Sequence, residues 1–132
     1  MNSLDAQHGL ERCLQVFAPD RGNASRRDMQ GNCCRLLIDG SLWAQIHVDD
    51  GGVLTVSVLL SRPAREIGAA ELAAMLLNNQ HGDRYPEIIC AVDSEVNGVI
   101  LNAKLKLAGL GDPDLGEVFQ RMVDRAKAIE RG

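Results

Sequence analysis

Four cysteines are the side chains of this chain best suited to covalent or metal chemistry. They are Cys13, Cys33, Cys34 and Cys90. No two have the CxxC spacing of a zinc or redox motif, and adjacent cysteines rarely form an unstrained bond with each other, so we expect free thiols in a reducing cytosol. Cys13 and Cys90 fall on apolar stripes, which predicts burial as small hydrophobes. Cys33 and Cys34 stand where a loop meets a predicted strand, and at least one is expected to be exposed and oxidisable.

The three histidines do not form a recognisable metal site. They stand on three different predicted elements, without the spacing of a helical metal site, and are His8, His47 and His81. His47 together with Asp49 and Asp50 could bind a metal at the tip of a predicted hairpin. Solvated polar side chains at a strand end are the preferred interpretation, so we predict no bound metal or cofactor.

Carboxylates and glycines offer two further patterns, and each has a plainer interpretation. Asp93 and Glu95 share one face of a predicted strand, as paired catalytic carboxylates would. Lys104 and Lys106 lie on the adjacent strand and favour a solvated charge ladder instead. A glycine-rich stretch before the last helix ends in Asp112, a carboxylate where a phosphate would bind, and the GxxxxGK[ST] motif is absent. These patterns predict a protein that is not an enzyme and does not hydrolyse ATP.

The length and the net charge of the chain exclude some classes of protein and some classes of binding partner. With 132 residues the chain is predicted to be one domain, 1–132, large enough to bury a core without disulfides. A formal net charge of -4 argues against nucleic acid or an anionic membrane as the main partner. No stretch approaches transmembrane length, and the N-terminus lacks the basic start and apolar run of a secretory signal. We therefore expect a soluble, intracellular protein.

Residues 41–60 carry the strongest local signal, which is two strand-like runs around a glycine corner. A three-residue loop at 50–52 aligns the aliphatic residues of both strands on one face, whereas a two-residue turn would mix polar residues into it. The aliphatic face so formed holds Leu42, Ala44, Ile46, Val48, Leu54, Val56, Val58 and Leu60. The reverse face is mixed and carries Trp43, Gln45, His47, Thr55 and Ser57.

The chain before this hairpin is predicted to form a helix, a loop and a strand. The helix has the i, i+3, i+4, i+7 spacing of one buried face and ends before Pro19. That face consists of Leu10, Cys13, Leu14 and Phe17. Residues 20–32 are polar and contain two glycines, which indicates a mobile loop. A short strand over 34–39 then turns into the hairpin.

The chain after the hairpin is predicted to form a helix, a second hairpin and a last helix. Residues 64–79 are apolar on nearly every side, so in this small domain one helix face should meet a second subunit. The second hairpin would turn at Asn97-Gly98 and pair Cys90 with Leu105. The last helix has its cap at Asp112, and its buried stripe is Leu115, Val118, Phe119, Met122, Val123, Ala126 and Ile129. The predicted fold is an α+β sandwich, α-β-β-β-α-β-β-α, with three helices and an antiparallel sheet.

This order of elements, with the small size, the acidity and the lack of a catalytic motif, resembles the class I type III secretion chaperones of Gram-negative bacteria. The resemblance covers almost the whole chain as a pattern of elements rather than as a short motif. The family implies a cytoplasmic homodimer that binds the extended N-terminal segment of a secreted effector without ATP and keeps it soluble and competent for export. Main-chain bonds to a strand edge would give affinity, and side-chain pockets would give selectivity.

The resemblance also implies two sets of contact residues. The candidates for effector contact are Leu14, Phe17, Leu37, Trp43 and His47. The candidates for the dimer interface, on the second helix and the strand that follows it, are Leu72, Met75, Leu76, Ile89 and Ala91. Core packing is the alternative for each of them. It is preferred for Leu14 and Phe17, and both interpretations stay open for Trp43.

Two other classes of protein remain as alternatives. A dimeric α+β adaptor or regulatory protein would bind a folded partner rather than an unfolded segment. A small hydrolase or thiol enzyme would assemble Cys, His and Asp side chains that are distant in the sequence. Affinity capture from the native cell separates the adaptor from the chaperone. A thiol-reactivity profile, with a panel of ester and phosphate substrates, tests for the enzyme.

Overall fold

One antiparallel sheet and three helices make up the fold of the computed structural model, which describes residues 3–19, 24–80, 88–93 and 98–131. The helices are α1 (Ser3–Phe17), α2 (Ala69–Gln80) and α3 (Asp112–Arg131). The strands are β1 (Ala24–Gln30), β2 (Cys33–Ile38), β3 (Leu42–Val48), β4 (Val53–Leu59), β5 (Ile89–Asp93) and β6 (Gly98–Lys106). They form a six-stranded sheet in the order β1-β2-β3-β4-β6-β5. The predicted α+β class, with three helices on an antiparallel sheet, is confirmed.

The strand β1 corrects the prediction of a loop over residues 20–32. Residues 24–30 pair with β2 along their length, with a register shift between Arg26 and Asp28. Only Ala24 is buried, so the sequence of this strand lacks the alternation of apolar and polar residues that predicts a strand. The strand forms because β2 offers main-chain partners and because Gly31, at φ 58°, begins a two-residue turn. Residues 20–23 lie outside the described residues.

The register predicted for the hairpin of β3 and β4 is confirmed. Ala44 lies opposite Val58 and Ile46 opposite Val56, which leaves residues 50–52 as the loop. Gly52 has a φ of 78°, the left-handed value that such a loop requires. The Asp49 carboxylate closes the loop, since its Oδ1 accepts hydrogen bonds from the backbone N–H groups of residues 51 and 53, each at 2.9 Å.

The second hairpin has a different register from the one predicted. Cys90 lies opposite Leu101, not Leu105, and Gly98 pairs with Asp93 as part of β6 rather than of a turn. The linking residues 94–97 lie outside the described residues. The shift is an even number of residues, so the predicted core face of β6 is preserved. Its buried residues include Leu101, Ala103 and Leu105.

The helices α1 and α3 cover one face of the sheet and create the core. Their apolar stripes are buried as predicted, and the rings of Phe17 and Phe119 stack with centroids 4.4 Å apart where the two helices meet. Alternate residues of the central strands face the helices, and Ile46, Val56 and Leu101 have no exposed surface. No described helix is long and apolar enough to cross a membrane.

The helix α2 begins later than predicted, at Ala69, after a 3-10 turn at Ala64–Glu66. Arg62 anchors its first turn, because Nη1 donates to Glu71 Oε1 at 2.6 Å and also to the Ile129 carbonyl oxygen at 3.1 Å. Glu130 in turn accepts hydrogen bonds from the backbone N–H groups of Ser61 and Arg62. The end of α3 therefore fixes where α2 starts.

All four cysteines are free thiols. Cys13, Cys34 and Cys90 are buried, whereas Cys33 is half-buried. Burial raises the pKa of the Cys13 thiol to about 11 and also raises the pKa of the Cys34 and Cys90 thiols. A raised pKa lowers the thiolate fraction at neutral pH, and the thiolate is the reactive form.

Replacing Asp49 by alanine should lower the free energy of unfolding by about 1 kcal/mol, because two backbone N–H groups of the loop lose their acceptor. Asp49→Asn is the matched control, since its amide oxygen can still accept, and it should lose less. Urea unfolding at a fixed protein concentration measures both, with a lower midpoint at unchanged slope. Equal midpoints for the two variants would contradict this role of the carboxylate.

Under native conditions near neutral pH, a thiol-alkylating reagent should label Cys33 before the three buried cysteines. Mass spectrometry of timed digests measures the order. The matched control is Cys33→Ser, in which the fast phase of labelling should disappear. Rapid native labelling of Cys13 would contradict its burial and its raised pKa.

Candidate functional site

The face of the sheet opposite α1 and α3, here called the open face, is covered by no helix among the described residues. Its side chains are half-buried or exposed, in contrast to the fully buried residues between them. Alternation along each strand puts Leu37, Trp43, Gln45 and His47 on this face. The sequence therefore builds a sheet with one dry face and one face available to a partner.

Strand register arranges the open face into rows that run across the strands. One row is apolar, and its neighbours in order are Leu37, Trp43, Leu59, Ile100 and Ala91. We call this the apolar row. Five adjacent strands contribute to it, so it extends about 19 Å at the usual spacing between strands. Leu59 at its centre is 39% exposed, which is high for a leucine in the middle of a sheet.

The next rows of the open face are polar and then basic. The second row is Arg35, Gln45, Ser57, Asn102 and Ile89. Within it Ser57 Oγ donates to Asn102 Oδ1 at 3.2 Å. The third row is Cys33, His47, Thr55 and Lys104. The open face thus changes from apolar to basic along the direction of the strands.

Trp43 is the residue of the apolar row that contacts Arg35 of the second row. The Arg35 guanidinium carbon is 4.7 Å from the centroid of its ring, a cation–π contact that orients both side chains. A cavity of about 230 Å³ opens beside them, and Leu59 and Ile100 line its apolar side. Arg35, Gln45 and Ser57 line its polar side. Such a cavity can accept a bulky apolar side chain with a polar group next to it.

The residues expected to contact an effector divide between two places. Leu37, Trp43 and His47 lie on the open face, with Leu37 directly beside Trp43 and His47 two rows away. Leu14 and Phe17 lie in the core under the helices, 0% and 4% exposed. The structure therefore places Leu37 and Trp43 side by side and separates both of them from Leu14 and Phe17.

Leu59 and Ile100 complete the apolar row, and neither was among the predicted contact residues. Alternation along the second hairpin strand could have identified Leu59, since it shares a face with Ser57 and Thr55. The position of Ile100 beside it depends on the pairing of β4 with β6. That pairing joins strands far apart in the chain and leaves no local signal.

The residues expected at a dimer interface lie on and beside β5, the last strand of the sheet. Ile89 and Ala91 are exposed on the open face of that strand. Leu72 is half-buried, and Met75 is 6% exposed, with its Sδ 3.7 Å from Cys90 Sγ. The side chain of Leu76 lies outside the described residues. The sequence prediction did not include Val92, which is 53% exposed on the same strand.

The described residues offer little reactive chemistry. Within them no group of three or more His, Cys, Asp or Glu side chains is placed to hold a metal ion. The pKa of each buried thiol is raised by burial, the opposite of the change that activates a nucleophilic cysteine. The most developed feature of the described residues is the open face, where the apolar row lies beside polar rows.

Solved structures show the same fold. The chain of the Yersinia pestis type III secretion chaperone SycH, in complex with a fragment of YscM2, matches at a TM-score of 0.70 with 16% identity, over 93% of this chain and 98% of that one. A chain of the ExsC-ExsE complex matches at 0.71 with 17% identity, over 98% and 93%. A chain of the HopA1-SchA chaperone-effector complex matches at 0.69 with 13% identity, over 97% and 98%.

The family assignment comes from the sequence itself. No curated protein matches the chain. The model of the Tir chaperone protein (CesT) family, however, matches residues 12–130, nearly the whole chain. The resemblance to secretion chaperones that the order of elements indicated is confirmed. The chain belongs to the Tir chaperone protein (CesT) family.

Proposed function

We propose that this protein works in the bacterial cytoplasm as a chaperone that needs neither ATP nor catalysis. It binds the extended N-terminal segment of a cognate effector and keeps that segment soluble and competent for export. The observation that carries the proposal is the open face, where no described element covers an apolar row about 19 Å long in a small acidic protein. Contiguous exposed apolar surface of this kind marks a binding site.

Trp43 and Leu37 are the contact residues that this proposal retains on the open face. Their apolar surfaces lie side by side, and the cavity beside Trp43 would hold one anchoring side chain of the effector. Leu14 and Phe17 act indirectly in this proposal, because they are buried and hold α1 against the sheet that presents the open face.

The outer edge of β1 offers a second mode of contact. β1 ends the described sheet on one side, so its outer backbone groups pair with no described strand. An extended effector segment could add there as a further strand, with main-chain hydrogen bonds giving affinity. Charged residues in β1, such as Arg26 and Asp28, discourage uncontrolled pairing with other sheets.

The homodimer is proposed to form through β5 and α2. Ile89, Ala91 and Val92 are exposed on the strand at the other end of the sheet. The described part of α2 adds exposed alanines at 73 and 74, which would let a second subunit approach closely. A dimer through this edge would cover Ile89 and Ala91 but leave the rest of the open face of each subunit accessible, from Leu37 to Ile100.

Replacing Trp43 by serine should reduce the amount of effector segment that co-purifies, at least severalfold, because the cavity loses its aromatic wall. The measurement is co-expression with the N-terminal segment of the secreted protein encoded beside this chain, followed by affinity purification. Met29→Ser is the matched control, since Met29 is 52% exposed but lies outside the apolar row. Undiminished recovery with Trp43→Ser would count against the open face.

The unmodified protein should be a dimer at micromolar concentration, with twice the 14.3 kDa mass of one chain by light scattering. Val92→Lys should shift the equilibrium toward monomers, because it places charge in the apolar β5 edge. Met29→Lys on the opposite edge strand is the control and should remain dimeric. A strictly monomeric unmodified protein would overturn the dimer proposal.

A further inference from the structure

The apolar row imposes a conformation on whatever binds along it. The central strands use their backbone N–H and C=O groups in pairing with each other, so the open face offers a bound segment no main-chain partners. A segment lying across the face must satisfy its own backbone groups, and a helix does so internally. The part of the row that the proposed dimer leaves free, from Leu37 to Ile100, spans about 14 Å, which corresponds to about ten helical residues, or just under three turns.

Two charged residues of the open face lie on the same side of the apolar row, so the two flanks of a bound helix would meet different side chains. The polar rows beside the apolar row present Arg35 and the exposed side chain of Lys104. Among the residues whose side chains the structure describes, two carboxylates lie beside these rows. Asp28 is 3.6 Å from Arg35 in an exposed ion pair, and Asp49 is occupied by its own loop. Exposed ion pairs of this kind are weak, so the guanidinium remains open to a carboxylate brought by a partner.

We propose that the open face selects an amphipathic helix of the secreted partner whose apolar stripe lies along the apolar row and whose acidic flank faces Arg35 and Lys104. A bulky apolar side chain of the helix enters the cavity beside Trp43. A carboxylate one turn away on the helix meets the Arg35 guanidinium. Arg35 and Lys104 are thus residues that determine specificity, and this inference rests on the proposed function.

Trp43 makes the test direct, because it is the only tryptophan in the chain and stands in the site. The probes are two synthetic helical peptides without tryptophan that share apolar residues at i, i+3, i+4, i+7, one with glutamates on the flank and one with lysines. The glutamate peptide should shift the Trp43 emission and bind about tenfold more tightly at low salt. The difference between the two peptides should shrink as the salt concentration rises.

Substitutions test which side chains cause the preference for the glutamate peptide. Lys104→Gln, two rows from Trp43, should reduce the preference for the glutamate peptide and leave the emission of the free protein unchanged. Arg35→Gln should reduce that preference further. Arg131→Gln is the matched control, because it removes an exposed cation at the end of α3 and should leave the preference intact.

Three results would overturn the inference. The first is equal affinity for the two peptides, and the second is equal binding of a glutamate peptide whose helix is broken by proline. The third is a shift of Trp43 emission on dilution of the protein alone, since a second copy would then cover the open face. If effector recovery depends on Trp43 while any of these results holds, the proposed function stands and the inference fails.

Discussion

The pairing of β4 with β6 is the interaction on which the rest of the structure depends. It joins the meander of β1 to β4 to the second hairpin, with Leu54 opposite Leu105 and Val58 opposite Leu101. On the helix side it makes one continuous apolar floor for α1 and α3. On the other side the same register places Leu59 beside Ile100 and so extends the apolar row across five strands. A slip of one residue would exchange the two faces of a strand and destroy both surfaces together.

The two faces of the sheet divide the work of folding and binding. The helix side carries the aliphatic residues whose burial stabilises the domain, at roughly 25 cal/mol per Å² of apolar surface removed from water. The open face carries the exposed apolar row with polar rows beside it, and this is the surface proposed to meet a partner. Trp43 has features of both faces, because its side chain is half-buried and is also in contact with Arg35 on the open face. Binding surface is thus obtained without removing residues from the core.

The chemistry of the chain agrees with a binding role. The thiols that are buried have a raised pKa because desolvation disfavours the thiolate. Three carboxylates hold parts of the fold in place: Glu130 and Glu71 fix the start of α2, and Asp49 closes a hairpin loop. Recognition of an extended segment asks for accessible surface and an unpaired strand edge. The first follows from the position of α1 and α3 on one face, and the second from β1 ending the described sheet.

The sequence by itself determined the elements whose side chains alternate between core and solvent. The stripes of α1 and α3, the register of β3 with β4 and the loop at 50–52 could all be predicted, because each is written in local periodicity and turn residues. Only the tertiary structure decided that the polar residues 24–30 form a strand, since main-chain pairing with β2 stabilises it without side-chain burial. The tertiary structure also decided the register of β5 with β6 and which residues lie beside Trp43 in the apolar row. Pairing between strands that are distant in the sequence depends on the whole sheet, so no short stretch of sequence predicts it.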